Sequence, residues 1–231
     1  MRRIRGCHEL LPEAKAPSAG LRLAHVAVPE SNVARMKIAC AVLAAGGSTR
    51  MGSPKQLLAL DGQPLIARVL CAAAFLSDVA VVLGAHAQEI ARAVEGHHIL
   101  HNPRWSLGMG TSVHTAVHWA QQLDADGLLL CTCDQVLISR AHLERLVEAF
   151  TRTGTTVASH YSGAPGVPAL IEARYFERLL QIQGDRGAGP LLRSGIGLTS
   201  IDWPEGAVDL DTPEDVARFI RPDLSPSEPQ T

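Results

Sequence analysis

The chain has 231 residues, 46% of them hydrophobic, and a formal net charge of −2. A chain of this length can bury the core of one large domain or two small ones, and no apolar run approaches the roughly 18 residues that cross a bilayer. The slightly acidic balance argues against nucleic-acid partners, and we expect a soluble protein with no membrane partner.

The first 35 residues differ from the rest of the chain. They contain three prolines, show no sustained periodicity, and carry six basic and three acidic side chains. Met36 is typical of a natural start before the first strand. We therefore expect an irregular N-terminal extension over residues 1–35, a globular domain over 36–221, and a mobile Pro- and Ser-rich C-terminal tail over 222–231.

The first predicted strand, Ile38–Ala45, runs directly into a glycine-rich loop that ends in cations. Its unbroken apolar run is typical of a parallel sheet that is covered on both faces. The loop glycines let the backbone turn tightly and point N–H groups inward, while Arg50 and Lys55 offer a planar fork and a point charge to phosphate oxygens. The spacing matches neither the P-loop pattern nor the dinucleotide-binding pattern. We interpret the loop as a phosphate cradle of another kind, with an ordinary glycine-rich turn as the alternative.

Helices and strands alternate along the rest of the chain. The predicted elements are a helix over 65–76, a strand over 79–83, helices over 87–94 and 113–120, a strand over 128–131, a helix over 143–150, strands over 155–159 and 167–171, and a helix over 213–220 capped by Thr212. This alternation predicts an α/β fold of the three-layer α/β/α, Rossmann-like kind. Its mostly parallel sheet would bind ligands beyond the carboxyl ends of the strands.

Acidic residues follow two of the predicted strand ends. Asp134 comes after a buried strand, and a hard oxygen ligand at that edge suits Mg²⁺, which binds through one or two carboxylates plus substrate phosphates. The alternative is that Asp134 caps the helix that begins near Ser139. Asp209 and Asp211 stand two residues apart, so both could face one way on an extended segment. One of them would complete the metal site, although the segment also resembles an ordinary helix start.

Cysteines and histidines favour structural roles. The five cysteines form no C-x-x-C pair, so we expect reduced thiols in the core of a cytoplasmic protein. Cys131 and Cys133 would share one face of a strand, which makes a metal site conceivable but leaves it without a second pair. His114 and His118 are one helical turn apart, but no acidic general base of the H-E-x-x-H kind accompanies them.

Several segments resemble one known family. Leu43–Leu57 looks like the signature loop of the MobA-like nucleotidyltransferases, and in particular of the molybdenum cofactor cytidylyltransferases. Asn102–Ser112 is similar to the second loop of that family, Cys133–Gln135 to its metal-binding Asp-Gln-Pro turn, and Gly184–Ala188 to its acceptor-side loop. Asp209–Asp215 closes the pattern. The five motifs occur in the order that the family has.

The resemblance implies the nucleotidyltransferase type of Rossmann-like sheet and a Mg²⁺-dependent nucleotidyl transfer. The implied catalytic residues are Arg50, Lys55 and Asp134, and the implied metal ligands are Asp134, Asp209 and Asp211. The implied nucleotide-binding residues are Leu43, Ala44, Ala45, Gly46, Gly47, Ser48, Arg50, Met51, Gly52, Lys55, Gly108 and Ser112. The implied acceptor-binding residues are Gly166, Pro168, Asp185 and Arg186.

By resemblance, the substrates would be a nucleoside triphosphate and the phosphate of molybdopterin, with CTP favoured over GTP. A transient contact with a molybdoenzyme or its chaperone is also implied. Three positions depart from the family: Val136 replaces a proline, Leu107 an acidic or polar residue, and Gly189 an arginine. The alternatives are a guanylyltransferase that uses GTP, a nucleotidyltransferase for another phosphorylated metabolite such as a sugar or polyol phosphate, and a non-catalytic nucleotide- or cofactor-binding accessory protein.

Overall fold

The computed structural model describes residues 36–210 and 212–220. The predictions for the N-terminal extension, for Asp211 and for the C-terminal tail therefore lie outside the described residues. Within the described part of the chain, no helix is long and apolar enough to cross a membrane.

A seven-stranded sheet forms the centre of the described domain. The strands are β1 (Ile38–Leu43), β2 (Ala59–Leu60), β3 (Gln63–Pro64), β4 (Asp78–Leu83), β5 (His98–His101), β6 (Gly127–Thr132), β7 (Thr156–Tyr161), β8 (Ala164–Glu172) and β9 (Leu198–Asp202). β2 and β3 form a separate hairpin, and the other seven lie in the order β5-β4-β1-β6-β8-β7-β9. β8 pairs antiparallel with β6 and β7, and the remaining pairs are parallel. The prediction of a mostly parallel sheet is confirmed.

Seven α-helices accompany the strands. They are α1 (Leu65–Ala73), α2 (Ala87–Ala93), α3 (Met109–Gln122), α4 (Arg140–Thr153), α5 (Phe176–Leu179), α6 (Gly189–Leu192) and α7 (Pro213–Ile220) in the described residues. α4 begins where the Ser139 side chain accepts a hydrogen bond from the His142 N–H at 3.2 Å. Thr212 caps α7 as predicted, because its hydroxyl accepts from the Asp215 N–H while the Asp215 carboxylate accepts from the Thr212 N–H.

The core lies on both faces of the sheet. In β1, Cys40 and Val42 pack into one apolar cluster with α1 and α4, whereas Ala39 and Ala41 pack into another with α3. Alternate side chains of a strand point to opposite faces, so a strand covered on both sides is apolar at every position. The predicted three-layer α/β/α architecture is confirmed.

The sheet order brings three loops to one edge. β1 lies between β4 and β6, with Leu43 paired to Val82 on one side and to Thr132 on the other. The chain continues this pairing beyond the strands, because the Ala85 N–H donates to the Ala45 carbonyl at 3.0 Å. The loops that follow β1, β4 and β6 therefore meet beyond their carboxyl ends, where ligands of open α/β sheets bind.

The described cysteines are free thiols. Cys40, Cys131 and Cys133 are buried, and Cys131 and Cys133 lie in the same apolar cluster, as their spacing predicts. Burial raises the pKa of the Cys133 thiol far above its usual value. The thiol is therefore neutral, whereas a metal would require the thiolate.

Gly127, at the start of β6, lies against the ring of Phe150. A Cβ at this position would lie 2.7 Å from a ring carbon of Phe150, which is 1% exposed. We expect Gly127→Ala to lower the free energy of unfolding by about 1–3 kcal/mol, the usual cost of overpacking. Urea unfolding measures this loss. Gly197→Ala is the control, because a Cβ there meets no atom within 4 Å; equal losses in the two variants would contradict the packing explanation.

Candidate active site

A cavity of about 280 Å³ lies where the loops after β1 and β6 meet. It brings together nine of the predicted site residues, namely Leu43, Ala45, Gly46, Gly47, Lys55, Gly108, Ser112, Asp134 and Asp185. Six further lining residues are not among the predicted ones: Gln56, Trp105, Ser106, Met109, Thr132 and Cys133. All six lie within or next to the motifs that carry the family resemblance, which is the signal that could have found them.

Lys55 and Asp134 form an ion pair inside this cavity. The Lys55 Nζ lies 2.8 Å from the Asp134 Oδ2, and the two side chains are 19% and 24% exposed. Lys55 stands on a short 3₁₀ turn, and its N–H donates to the Ser48 Oγ at 3.0 Å. The end of the first loop is thereby joined to the end of β6, and a cation and an anion face the same space.

The Asp134 carboxyl is ionised at neutral pH. Burial by itself would raise its pKa, but attraction and a hydrogen bond from the Lys55 ammonium, with a further hydrogen bond from Thr132, hold the pKa below its usual value. The alternative role of Asp134 as the cap of α4 does not hold, because Ser139 makes the capping hydrogen bond.

Two buried amide side chains hold the loops in place. Gln56 is 2% exposed, and its Nε2 donates to the carbonyls of Ala44 and Gly46 at 3.1 and 3.0 Å. Gln135 is 4% exposed, and its Nε2 donates to the Tyr161 hydroxyl at 3.0 Å and to the Val167 carbonyl at 2.8 Å. A buried amide with satisfied hydrogen bonds fixes the backbone that it contacts, so both loops are held in shape before any ligand binds.

Asp209 lies next to the turn that carries Asp134. Asp209 forms an antiparallel β-bridge with Gln135, and the Leu210 N–H donates to the Asp134 carbonyl at 3.2 Å. The pKa of the Tyr161 hydroxyl is raised by burial and by the charges of Asp134 and Asp209, although its hydrogen bond with Gln135 opposes that rise. Both carboxylates therefore act on one region, whereas Asp211 lies outside the described residues.

The donor set suits a hard divalent cation. Within residues 36–210 and 212–220, no group of three or more His, Cys, Asp and Glu side chains could hold a metal by itself. Two carboxylates with phosphate oxygens as the remaining ligands match the way proteins bind Mg²⁺, which rarely uses an all-protein cage. Asp134 lines the cavity and Asp209 lies beside the turn that carries it, so these two carboxylates could hold such a metal.

Five predicted nucleotide-binding residues do not line the cavity. They are Ala44, in the core, and Ser48, Arg50, Met51 and Gly52, which form the outer part of the first loop. Ser48 has a structural contact, because its hydroxyl accepts from the Lys55 N–H and donates to the Gln56 Oε1. Ala44 is 1% exposed within the core, below the cavity floor.

The predicted acceptor-binding residues do not lie together. Asp185 lines the cavity, whereas Arg186 lines a second cavity of about 690 Å³ beside α5 and α6. Gly166 lies on β8 behind Tyr161, whose hydroxyl would overlap any Cβ at that position. Pro168 is buried, and its carbonyl accepts from the Ser159 hydroxyl at 2.7 Å. Gly166 and Pro168 thus contribute to the β7–β8 hairpin rather than to the cavity wall.

The second loop packs directly on the acceptor-side loop. Gly108 has a φ of 108°, and a Cβ there would overlap the backbone of Gly184. The Gly110 N–H donates to the Gly184 carbonyl at 2.8 Å. His114, which the sequence pairs with His118, contacts the Ile182 carbonyl through its ring at 2.8 Å. These contacts join α3 to the loop that carries Asp185 and give His114 a structural role.

Fold and site together define an α/β protein with a charged cavity at the carboxyl edge of its sheet. Residues 40–199 match the family model described as the MobA-like NTP transferase domain. The chain belongs to this family and is a nucleotidyltransferase. The family resemblance predicted from the sequence is confirmed.

Three curated proteins are similar to this chain. The purine catabolism protein PucB of Bacillus subtilis is 33% identical, over 75% of this chain and 91% of its own length. A molybdenum cofactor guanylyltransferase of Rhodobacter capsulatus is 29% identical, over 79% and 95%. A molybdenum cofactor cytidylyltransferase of Escherichia coli is 27% identical, over 77% and 93%.

Solved structures share the fold. A homologue of Mycobacterium tuberculosis Rv0371c from Mycobacterium sp. strain JC1 is 29% identical, with a TM-score of 0.71 over 80% of this chain and 96% of that one. Rv0371c itself, in a complex with manganese, has a TM-score of 0.67 at 24% identity, over 80% of this chain and 98% of that one. The α/β architecture is therefore shared with both of these structures.

The Lys55–Asp134 pair predicts a pH-dependent stability. A carboxyl whose pKa is lowered in the folded state adds stability that is present above its unfolded pKa of about 3.9 and is lost as the pH falls through the folded value. Lys55→Met removes the cation that lowers this pKa. We expect a loss of about 1–2 kcal/mol at pH 7 that shrinks below about pH 4, as Asp134 becomes protonated.

Urea unfolding at a series of pH values checks this expectation. Lys37→Met is the matched control, because Lys37 is exposed and its substitution removes the same charge from the surface. A Lys55→Met deficit of equal size at pH 3 and pH 7 would show that the lost stability does not come from the ion pair.

Proposed function

We propose that this protein is a Mg²⁺-dependent nucleotidyltransferase that moves CMP from CTP onto the phosphate of molybdopterin or its molybdenum-loaded form and releases pyrophosphate. The observation that carries this proposal is the 2.8 Å contact of Lys55 and Asp134 in one cavity beside the glycine-rich loop. A triphosphate with a divalent cation brings an anion for Lys55 and a cation for Asp134, so it replaces this ion pair without leaving either charge unpaired.

The chain supplies groups for each charge of the triphosphate. Lys55 and the N–H groups near Gly46 and Gly47 would hold the phosphate oxygens, and Arg50 on the outer loop would add a second cation. Asp134 and Asp209 would hold Mg²⁺. When bound there, the metal would neutralise negative charge on the oxygens of the transferred phosphate and of the leaving group.

The transfer needs no strong general base. An oxygen of the acceptor phosphate, already an anion, would form a bond to the α-phosphorus. The bond from the α-phosphorus to its bridging oxygen would break, and pyrophosphate would leave with that oxygen. The protein's contribution is then the positioning of the two reactants and the preorganised charges of Lys55 and its neighbours.

The choice of CTP and of a pterin acceptor rests on the family resemblance. The first loop contains Leu-Ala-Ala-Gly and the metal turn contains Asp-Gln, which favour CTP over GTP. The relatives named molybdenum cofactor guanylyltransferase and molybdenum cofactor cytidylyltransferase support the molybdenum cofactor as the acceptor. Of the positions that depart from the family, Val136 is 2% exposed and packs with Leu210 on the inner side of the turn. A valine therefore fills the core beside Asp134.

The loss of the family's arginine at Gly189 favours a second candidate, a nucleotidyltransferase that acts on another small phosphorylated metabolite. The guanidinium of Arg193 lies against Gly189, where a Cβ would come within 2.8 Å of it. A cation is thus still present near this position, which supports a phosphorylated acceptor of some kind. The acceptor's other groups then decide between the two candidates.

Pyrophosphate release tests the reaction. With purified protein and Mg²⁺, we expect release from CTP, and less from GTP, only when molybdopterin is present. Asp134→Asn keeps the side-chain shape and should reduce turnover by at least about 100-fold while nucleotide still binds, because it removes a negative charge that would hold Mg²⁺ beside the reacting phosphates. Glu148→Gln, on the exposed face of α4, should leave turnover unchanged.

Calorimetric titration separates binding from chemistry. We expect Lys55→Ala to weaken the binding of Mg²⁺–CTP by about 10-fold or more, because one charge-assisted contact is lost. Release from CTP with a sugar phosphate but not with molybdopterin would select the second candidate. Nucleotide binding without pyrophosphate release for any acceptor would instead indicate a non-catalytic binding protein.

A further inference from the structure

Trp105 is an exposed aromatic side chain that lines the cavity. Its side chain is 38% exposed, whereas the other two tryptophans of the chain, Trp119 and Trp203, are 8% and 4% exposed. An exposed aromatic ring in the lining of a cavity is a candidate binding group, since ligand sites are lined mainly by apolar and aromatic groups.

Two glycines form the surface on which the indole lies. A Cβ at Gly84, just after β4, would come within 2.7 Å of the Trp105 Cγ, and a Cβ at Gly47 would come within 3.2 Å of its Cζ3. The ring can approach the backbone this closely only because neither residue has a side chain. Since Gly47 belongs to the glycine-rich loop, the indole lies directly beside the residues that would hold the phosphates.

The turn that carries Trp105 is held rigidly. Asn102 is 2% exposed, and its Nδ2 donates to the hydroxyls of Thr111 and Ser112 at 2.8 and 3.0 Å. Its Oδ1 accepts from the Arg104 N–H at 3.0 Å, and the Thr111 hydroxyl donates to the Arg104 carbonyl at 3.0 Å. The backbone before Trp105 is thereby anchored to α3. A ring on such a turn loses little conformational entropy when it binds a ligand.

Met109 adds a second apolar surface to the same cavity. Its side chain is 44% exposed, and its Sδ would lie 2.7 Å from a Cβ at Gly187 on the acceptor-side loop. A thioether is polarisable and packs well against aromatic rings. The cavity therefore combines a charged part at Lys55 and Asp134 with an apolar part at Trp105 and Met109, a division that matches a ligand with a phosphate chain and a planar ring.

On the basis of the nucleotidyl transfer proposed above, we propose that Trp105 binds the nucleobase of the triphosphate by stacking. The base is favoured over the ring of an acceptor because Trp105 contacts Gly47 in the phosphate-binding loop, and a base is joined to its own triphosphate by a single ribose. Every base has a π-face, so the stacking holds purines and pyrimidines alike and leaves base selection to hydrogen bonds elsewhere in the cavity.

Binding measurements on variants with and without an aromatic ring at position 105 test this role. We compare Trp105→Leu, which keeps apolar volume, with Trp105→Phe, which keeps an aromatic face, by calorimetry with Mg²⁺–CTP, Mg²⁺–GTP and Mg²⁺–tripolyphosphate. Trp105→Leu should weaken both nucleotides by roughly 5- to 100-fold, the range that stacking contacts support. Trp105→Phe should weaken them by less, and tripolyphosphate, which has no base, should bind both variants as it binds the wild type.

A fluorescence experiment on the wild-type protein does not depend on the folding of the variants. Trp105 is the most exposed of the three tryptophans, so acrylamide should quench mainly its emission. CTP should protect this emission from acrylamide, whereas tripolyphosphate at saturation should not. Protection by both ligands to the same extent would overturn the stacking role, because it would report a general closure of the loop.

The remaining outcomes separate this inference from the proposed function. Equal weakening of CTP and tripolyphosphate in Trp105→Leu would mean that Trp105 only supports the loop. Unchanged CTP binding with lost binding of a free pterin would assign the ring to the acceptor. Either result overturns the stacking on the nucleobase but leaves the transferase proposal intact. Failure of the wild type to bind CTP and tripolyphosphate would overturn both.

Discussion

The ion pair of Lys55 and Asp134 is the interaction on which the site depends. It joins the loop after β1 to the end of β6 and keeps two charges that face one cavity neutralised. Separating them without replacement would leave a largely buried carboxylate unpaired, which is costly. A ligand that offers Lys55 an anion and Asp134 a cation avoids this cost, so the phosphate chain and the divalent metal that we propose would bind together rather than one at a time.

Uncharged side chains give this charged pair its fixed surroundings. Gln56 holds the floor of the first loop through two backbone carbonyls, and Gln135 connects the Asp134 turn to Tyr161 and to β8. Asn102 holds the second loop through hydrogen bonds with Thr111, Ser112 and Arg104. Buried amides that satisfy backbone groups cost little and keep loops from relaxing, so the cavity is largely preformed and its charges need little reorganisation during transfer.

The described residues also explain how one cavity could serve the phosphate chain and the planar ring that we propose as its ligand. Its charged part lies between β1 and β6, and its apolar part lies between β1 and β4, where Gly84 lets Trp105 approach the sheet edge. Neighbouring strands thus supply different chemistry to adjacent regions of one edge. This division is a consequence of parallel strand order, because every parallel strand delivers its following loop to the same side.

Local sequence patterns determined the elements and the chemistry of the loops. The apolar run of β1 and the capping residue Thr212 predict where elements lie, because hydrophobic periodicity and capping act within a few residues. Only the tertiary structure decided which loop residues share the cavity. Trp105 lines it because of Gly84, on another strand, whereas Pro168 turns out to be buried in the β7–β8 hairpin. Such proximity follows from strand order and long-range hydrogen bonds, which no short window of sequence contains.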